Sequence, residues 1–145
     1  MWVLNIQPRV RTVICYWIVN IVNRFYPVSK TYAEAQEFCE IAALNGFTAG
    51  RLFEPKTQSF NDKVYAESIA VFGGRPTPWI GINRKQFTWF FTSSGTKLEF
   101  QNWYPGHPAP GYTLTPHHNC VSWYENGKWY DLSCDHYFHF ICEFF

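Results

Sequence analysis

The chain has 145 residues, which suits a single domain with a sizeable hydrophobic core. Its 12 basic and 11 acidic residues give a formal charge of +1 and form no basic run, which excludes nucleic-acid binding driven by backbone charge. Aromatic residues make up 21% of the chain and charged residues 16%, a balance that excludes an intrinsically disordered protein.

Residues 1–24 are predicted to form an N-terminal extension. Arg9 and Arg11 precede an apolar run at 13–22, an order typical of a signal peptide or a short anchor. The run is shorter than the roughly 20 residues that cross a bilayer, so no membrane span is predicted. We prefer a β-branched first strand paired with the C-terminal end of the chain, with the remnant of a signal segment as the alternative.

Two helices are predicted next. Thr31 and Glu34 form a capping box, in which each side chain can accept a hydrogen bond from the other residue's free backbone amide. Asn45-Gly46 supplies a left-handed stop for this first helix. A second helix is predicted to begin near Ser59 and to end before Gly73. Apolar residues of the first helix recur at i, i+3, i+4 and i+7, at Ala35, Phe38, Cys39 and Ala42.

The rest of the chain is predicted to be rich in strands. Helices followed by strands indicate an α+β domain. Asn126-Gly127 is a strong hairpin signal. The predicted strands are 79–82, 88–92 paired with 97–100 in a hairpin, 120–124 paired with 128–130, and 137–143.

A long loop is predicted at 104–118. Four prolines and two glycines within it leave no room for a regular element. A structureless loop of this length inside a compact domain usually carries function.

Five cysteines occur, without a CxxC motif or the paired-ligand spacing of a structural zinc site. Disulfides formed in an oxidising compartment are the preferred interpretation, and free buried thiols are the alternative. Cys15 lies in the N-terminal extension, apart from the other four.

Seven short motifs occur in a characteristic order. Together they resemble the C-type lectin family over about residues 25–145. They are Phe38-Cys39, Trp79-Ile80-Gly81-Ile82, Asn102-Trp103, Asn119-Cys120-Val121, Trp129-Tyr130-Asp131, Cys134 and Phe140-Ile141-Cys142-Glu143.

The resemblance implies the C-type lectin-like double-loop fold, with two helices and antiparallel strands, in which the strand at 79–82 lies beneath the long loop. It also implies that Cys39 pairs with Cys142 and Cys120 with Cys134. Closing a loop of about 100 residues with a disulfide removes roughly 4 to 5 kcal/mol of unfolded-state freedom. An extracellular, secreted module is the expected setting.

The family's sugar-binding members hold calcium at the long loop with oxygen ligands, and this chain departs from their pattern. At the matching positions it has His107-Pro108-Ala109, His118-Asn119 and Trp129-Tyr130-Asp131. Asp131 alone is a carboxylate, and Arg84 stands where the family has an acidic ligand of a second calcium. Since calcium takes six to eight hard oxygens, the calcium site is expected to be lost.

His107, His118 and Asp131 fall where the family's ligands converge on one cation. Imidazole and carboxylate suit zinc better than calcium, so a zinc-type site is one hypothesis. The alternative is that these are exposed loop histidines, which were free to vary once calcium was lost. The predicted ligand-binding residues are Tyr104, His107, Tyr112, His118, Asn119, Tyr130 and Asp131.

The predicted function is non-enzymatic recognition of a glycan or glycoprotein through the long-loop face, without calcium. Catalysis is not expected, because no hydrolase or phosphate-binding motif occurs and no nucleophile has an orienting partner. The alternative is a structural or assembly protein that self-associates, or joins a matrix or filament, through its aromatic surface and Cys15.

Overall fold

The computed structural model describes residues 21–42, 46–109 and 118–145. These residues form an α+β fold, as predicted. Two helices are present, α1 (Tyr32–Ile41) and α2 (Gln58–Phe72). The seven strands are β1 (Val22–Lys30), β2 (Gly50–Leu52), β3 (Trp79–Lys85), β4 (Thr88–Phe91), β5 (His118–Trp123), β6 (Trp129–Ser133) and β7 (Phe138–Phe144).

All seven strands join one curled sheet, whose main order is β1-β7-β3-β5-β6. Strand β2 pairs with β7, and β4 pairs with β3. The pairing of β3 with β7, at Trp79 and Phe140, is parallel, whereas the other pairings between strands are antiparallel. The sheet is therefore mixed rather than wholly antiparallel.

Strand β1 pairs with the C-terminal strand β7, with Val22 opposite Phe144 and Tyr26 opposite Phe140. The sequence predicts such a pairing for a strand at 13–22. The described strand begins at Val22, and the earlier part of the predicted strand lies outside the described residues.

Both helices begin at a threonine cap, of which the sequence predicts the one at Thr31. The Thr31 hydroxyl accepts a hydrogen bond from the Glu34 backbone N–H at 3.3 Å, and the Thr57 hydroxyl caps α2 in the same way. Helix α2 ends at Gly73, whose φ of +94° favours glycine. Helix α1 ends at Ile41, and Asn45 of its predicted stop lies outside the described residues.

The two predicted disulfides are confirmed. Cys39–Cys142 joins α1 to β7 across 103 residues, and Cys120–Cys134 joins β5 to the segment that follows β6. Each disulfide therefore adds a covalent link between two segments that are not joined by strand hydrogen bonds at those residues.

The predicted β5–β6 hairpin is confirmed, and the predicted hairpin of 88–92 with 97–100 is wrong in its pairing. Strand β4 instead pairs with β3, across a turn at Gln86. Residues 97–100 contribute one bridge, between Phe90 and Lys97, and then bury Leu98 in the core. Because Leu98 is buried in the core, residues 98–100 do not continue a ladder of hydrogen bonds with β4.

Buried apolar side chains fall into two clusters on opposite faces of β3. Trp79 packs with Cys39 and Phe140, whereas Ile80 and Ile82 belong to the second cluster. This division follows from the alternation of side chains along a strand. The second cluster also holds Val64 of α2 together with Phe53, Phe91, Leu98, Val121, Trp123, Trp129 and Ile141.

A buried ion network holds β7 against the turn that follows β4. The Glu54 carboxylate accepts hydrogen bonds from the backbone N–H groups of Ser93 and Ser94, at 2.9 and 3.2 Å. Glu143 accepts from the Glu54 backbone N–H and pairs with Arg51 at 3.2 Å. Burial raises the pKa of the Glu143 carboxyl, and the Arg51 charge opposes that rise.

No helix within the described ranges is long and apolar enough to cross a membrane.

Candidate functional site

The candidate site lies where β5 begins, beside β6 and residues 102–109. Strand pairing sets His118 opposite Ser133 and Val121 opposite Asp131. A register shift separates His118 from Cys120, as expected where a strand leaves a ladder to enter a loop. The predicted residue Tyr112 lies outside the described residues.

The Asp131 carboxylate is the centre of the predicted constellation, and its side chain is fully buried. Its Oδ1 lies 2.8 Å from His107 Nδ1 and accepts a hydrogen bond from the Ala109 backbone N–H at 3.1 Å. Its Oδ2 lies 3.7 Å from His118 Nδ1, beyond hydrogen-bond distance, and has no hydrogen-bond partner in the described part of the chain. The structure therefore brings all three predicted residues together around one carboxylate.

This geometry bears on the zinc hypothesis. His107 Nδ1 contacts Asp131 directly, so that nitrogen and Oδ1 already satisfy each other. Among the described residues, no group of three or more His, Cys, Asp and Glu side chains is placed to hold a metal ion. The zinc site stays a prediction, and a metal would have to use His118 and the Oδ2 edge of Asp131.

Arg84 and Asn119 form a second polar centre across β3 and β5. The Arg84 Nε and Nη2 both donate to Asn119 Oδ1, at 3.1 and 2.8 Å. Arg84 is only 8% exposed, and its guanidinium carbon lies 5.6 Å from the centre of the Trp89 ring. The buried Arg84 guanidinium therefore holds the side-chain oxygen of Asn119, a residue predicted to bind ligand.

Tyr104 and Tyr130 lie in one aromatic cluster beside this centre. Tyr104 packs on Tyr124 with ring centroids 4.6 Å apart, and Tyr124 packs on Tyr130 at 5.6 Å. Burial raises the pKa of the Tyr130 hydroxyl. Sequence reasoning missed Tyr124, which precedes the hairpin turn and carries no motif of its own.

The floor of the site is Trp129, which is fully buried and packs edge-on against Trp103. Its indole N–H donates to Asn61 Oδ1 at 2.9 Å. Asn102 donates to the Gly127 carbonyl at 2.9 Å and so ties the start of the long loop to the hairpin turn. Asn61 was also missed, because a single polar residue inside a helix gives no signal of what it will meet.

A family model described as the lectin C-type domain matches residues 28–144 of the chain. The chain belongs to the C-type lectin domain family.

Several curated proteins share this C-type lectin domain. The chain is 25% identical to the versican core protein of Rattus norvegicus over 121 residues, which is 83% of this chain and 4% of that protein. It is 31% identical to tetranectin of Homo sapiens over 123 residues, which is 80% of this chain and 55% of that protein. The chain therefore spans a small part of the versican core protein and about half of tetranectin.

Solved structures of C-type lectin domains share the fold. The mouse scavenger receptor C-type lectin carbohydrate-recognition domain superposes with a TM-score of 0.71 at 23% identity, over 86% of this chain and 89% of that one. Human lithostathine superposes with a TM-score of 0.70 at 25% identity, over 86% of this chain and 83% of that one. The peptide bond between His107 and Pro108 is cis.

The described residues of this face do not fit the calcium that this family implies. Calcium needs several hard oxygens free to face one point. Here His107 and Ala109 hold Asp131 Oδ1, and the Arg84 guanidinium holds Asn119 Oδ1. Imidazole and guanidinium groups therefore face the oxygens that a calcium ion would have to reach.

Proposed function

We propose that this C-type lectin domain is a non-enzymatic module that recognises a glycan or glycoprotein through its long-loop face without calcium. The described residues of that face are Tyr104, His107, His118, Asn119, Tyr130 and Asp131. Family membership supports binding rather than catalysis. The mouse scavenger receptor domain, which shares the fold, is itself a carbohydrate-recognition domain.

One observation carries the calcium-independent part of this proposal. The Arg84 guanidinium donates twice to Asn119 Oδ1 while buried at 8% exposure. A fixed positive charge at that oxygen repels a divalent cation. The Arg84 guanidinium thus lies at the base of the long loop, where sugar-binding members of the family hold a metal ion.

An extracellular, secreted setting is part of the proposal. Both disulfides support it, since such bonds persist in oxidising compartments and are rare in the cytosol.

A glycan array tests the function, with the full chain applied in millimolar calcium and, in parallel, in a chelator. We expect the same glycans to bind in both conditions, with affinities that agree within about twofold. Binding that requires calcium would overturn the calcium-independent mode, and binding to no glycan in either condition would overturn glycan recognition.

A zinc arm of the same experiment tests the metal hypothesis. Micromolar zinc at about pH 7.5 should raise the melting temperature, because imidazole nitrogen and carboxylate oxygen are ligands that zinc accepts. His118→Ala should abolish the rise, whereas His139→Ala, on β7, should retain it. An unchanged melting temperature in the wild type would remove zinc from the site and leave metal-free binding.

A further inference from the structure

We infer that the ligand-contact surface is a closed circuit of four aromatic side chains, Tyr104, His107, Tyr130 and Tyr124, which takes the apolar face of a neutral sugar ring. The inference rests on the proposed function and deepens it, because it names the surface and the ligand class. Tyr124 becomes a binding residue that no family motif marks.

The four rings form a circuit in which each contacts the next. Centroid distances are 4.6 Å for Tyr104–Tyr124, 5.6 Å for Tyr124–Tyr130, 6.0 Å for His107–Tyr130 and 6.4 Å for Tyr104–His107. Three of the four pairs meet edge-to-face, at 71° to 80°, and the Tyr104–His107 pair is tilted at 57°. In edge-to-face packing the positive edge of one ring lies against the negative face of the next, and the ring faces do not stack on one another.

Burial separates this circuit from the aromatic core. Trp79, Trp123 and Trp129 are fully buried, as is usual for a structural cluster. All four members of the circuit are instead half-buried, and the His107 side chain is 33% exposed. The circuit therefore keeps accessible aromatic surface beside a rigid floor, which is what a contact surface needs.

Polar groups border the circuit on the Tyr124 side. The Arg75 guanidinium lies 5.8 Å from the centre of the Tyr124 ring and pairs with Glu125 at 3.3 Å. Both side chains are well exposed, at 60% and 44%. They also line an open depression of about 250 Å³.

This arrangement selects the ligand class. The C–H face of a sugar ring packs on aromatic side chains, while its hydroxyls take hydrogen bonds from tyrosine hydroxyls and charged groups. Arg75 and Glu125 cancel each other's charge, so an anionic sugar gains no net attraction.

The experiment uses the full chain labelled with 3-fluorotyrosine and titrated with methyl glycosides of mannose, galactose and N-acetylglucosamine in a chelator. Fluorine resonances of Tyr104, Tyr124 and Tyr130 should shift in a saturable manner with at least one glycoside. Resonances of Tyr32, which is buried, and Tyr137, which is 64% exposed, should stay in place.

A matched pair of variants extends the test to glycans bound on an array. Tyr124→Ala should weaken binding at least tenfold, whereas Tyr137→Ala should leave it unchanged. Tyr124→Phe, which keeps the ring, should weaken binding by less than Tyr124→Ala. The fluorine titration on the wild type stays decisive if Tyr124→Ala does not fold.

Four outcomes would overturn the inference. Glycan binding without movement of the three resonances, or with full affinity in a folded Tyr124→Ala, would place the sugar elsewhere and leave the proposed function intact. Absence of any glycan binding by the wild type would overturn both. Equal binding to a glycoprotein before and after its glycans are removed would assign the circuit to a protein surface.

Discussion

At the scale of single residues, Asn61 shows how much one buried amide can organise. Its Oδ1 accepts hydrogen bonds from the indole N–H groups of Trp123 and Trp129, at 3.1 and 2.9 Å. Its Nδ2 donates to the Gly127 carbonyl at 3.1 Å. One side chain of α2 therefore satisfies three buried polar groups of the β5–β6 hairpin.

We expect Asn61→Ala to lower the free energy of unfolding by about 3 kcal/mol or more, because each buried group left unpaired costs roughly 1 to 3 kcal/mol. Chemical denaturation measures the loss. Gln58→Ala, at an exposed position of the same helix, is the control and should change stability by no more than about 0.5 kcal/mol. Equal effects of the two substitutions would contradict this account.

His139 provides a prediction of pH dependence. It accepts a hydrogen bond at Nε2 from the Thr77 backbone N–H and stacks on Phe72 at 4.0 Å. Burial lowers the pKa of its imidazole below 6.5. The unfolded chain therefore binds this proton more readily, and stability should fall as the pH drops through about 6.5 towards the folded pKa.

The measurement is the free energy of unfolding between about pH 7.5 and 5. His139→Phe keeps a ring against Phe72 and removes the titration, so its stability should fall less over this interval than that of the wild type. Parallel curves for the two proteins would show that His139 does not set the slope.

Sequence reasoning reached part of the site. The resemblance predicts that His107, His118 and Asp131 lie close together, and the structure places both histidines beside the Asp131 carboxylate. The contact of Arg84 with Asn119 was not foreseen, since it depends on the register of β3 against β5, which sets Asn83 opposite Cys120. Register is a property of two strands together, and neither strand specifies it alone.

At the scale of elements, the turn of the β5–β6 hairpin packs closely against α2. Asn126 and Gly127 both have positive φ, at +56° and +71°. A Cβ atom at Gly127 would lie 3.1 Å from both Asn61 Nδ2 and Tyr65 Cγ. The turn therefore needs glycine for its backbone and also for the close approach of α2.

Gly95 offers a matched comparison, because its φ of +70° is nearly the same while nothing lies within 4 Å of an added Cβ. Gly95→Ala should cost about 1 kcal/mol, from backbone strain alone. Gly127→Ala should cost about 1 kcal/mol more, because Asn61 and Tyr65 must also move. Melting of the two variants under one condition would reveal the difference, and equal losses would rule out a packing role for Gly127.

Local signals predicted elements well where they act within a few residues. The cap at Thr31, the strand that begins at Trp79 and the Asn126-Gly127 turn are all of this kind. The partner of β4 was predicted wrongly. The prediction chose the nearby segment 97–100, whereas β4 pairs with β3 in the structure. Alternation along 97–100 could not reveal that Leu98 would be buried instead of paired.

At the scale of the whole molecule, the two disulfides close loops of very different length, 103 and 14 residues in sequence separation. Loop-closure entropy gives roughly 4.7 kcal/mol for about 100 residues and roughly 3 for about 15. We expect the double variant Cys39→Ala/Cys142→Ala to lose about 1 to 2 kcal/mol more than Cys120→Ala/Cys134→Ala. Denaturant titration of both tests this, and the reverse order would contradict it.

Cys15 decides between binding and assembly. The other four of the five cysteines pair with one another, so Cys15 has no partner among them. A free-standing binding module should run as a monomer on reducing and non-reducing gels, and we expect this result. A dimer that appears without reductant and disappears in Cys15→Ser would support the structural or assembly function instead.

The pairing of β1 with β7 has a mechanical consequence. Because Val22 lies opposite Phe144, a force pulling on these residues loads the hydrogen bonds of the two strands one after another, as in a zipper. Separation stops when the tension reaches the Cys39–Cys142 bond. The disulfide closes a span of 103 residues, which would measure roughly 350 Å if fully extended. This span cannot lengthen under load until the disulfide is reduced. Tension alone therefore cannot extend the segment between Cys39 and Cys142, whereas reduction of the disulfide allows it to extend.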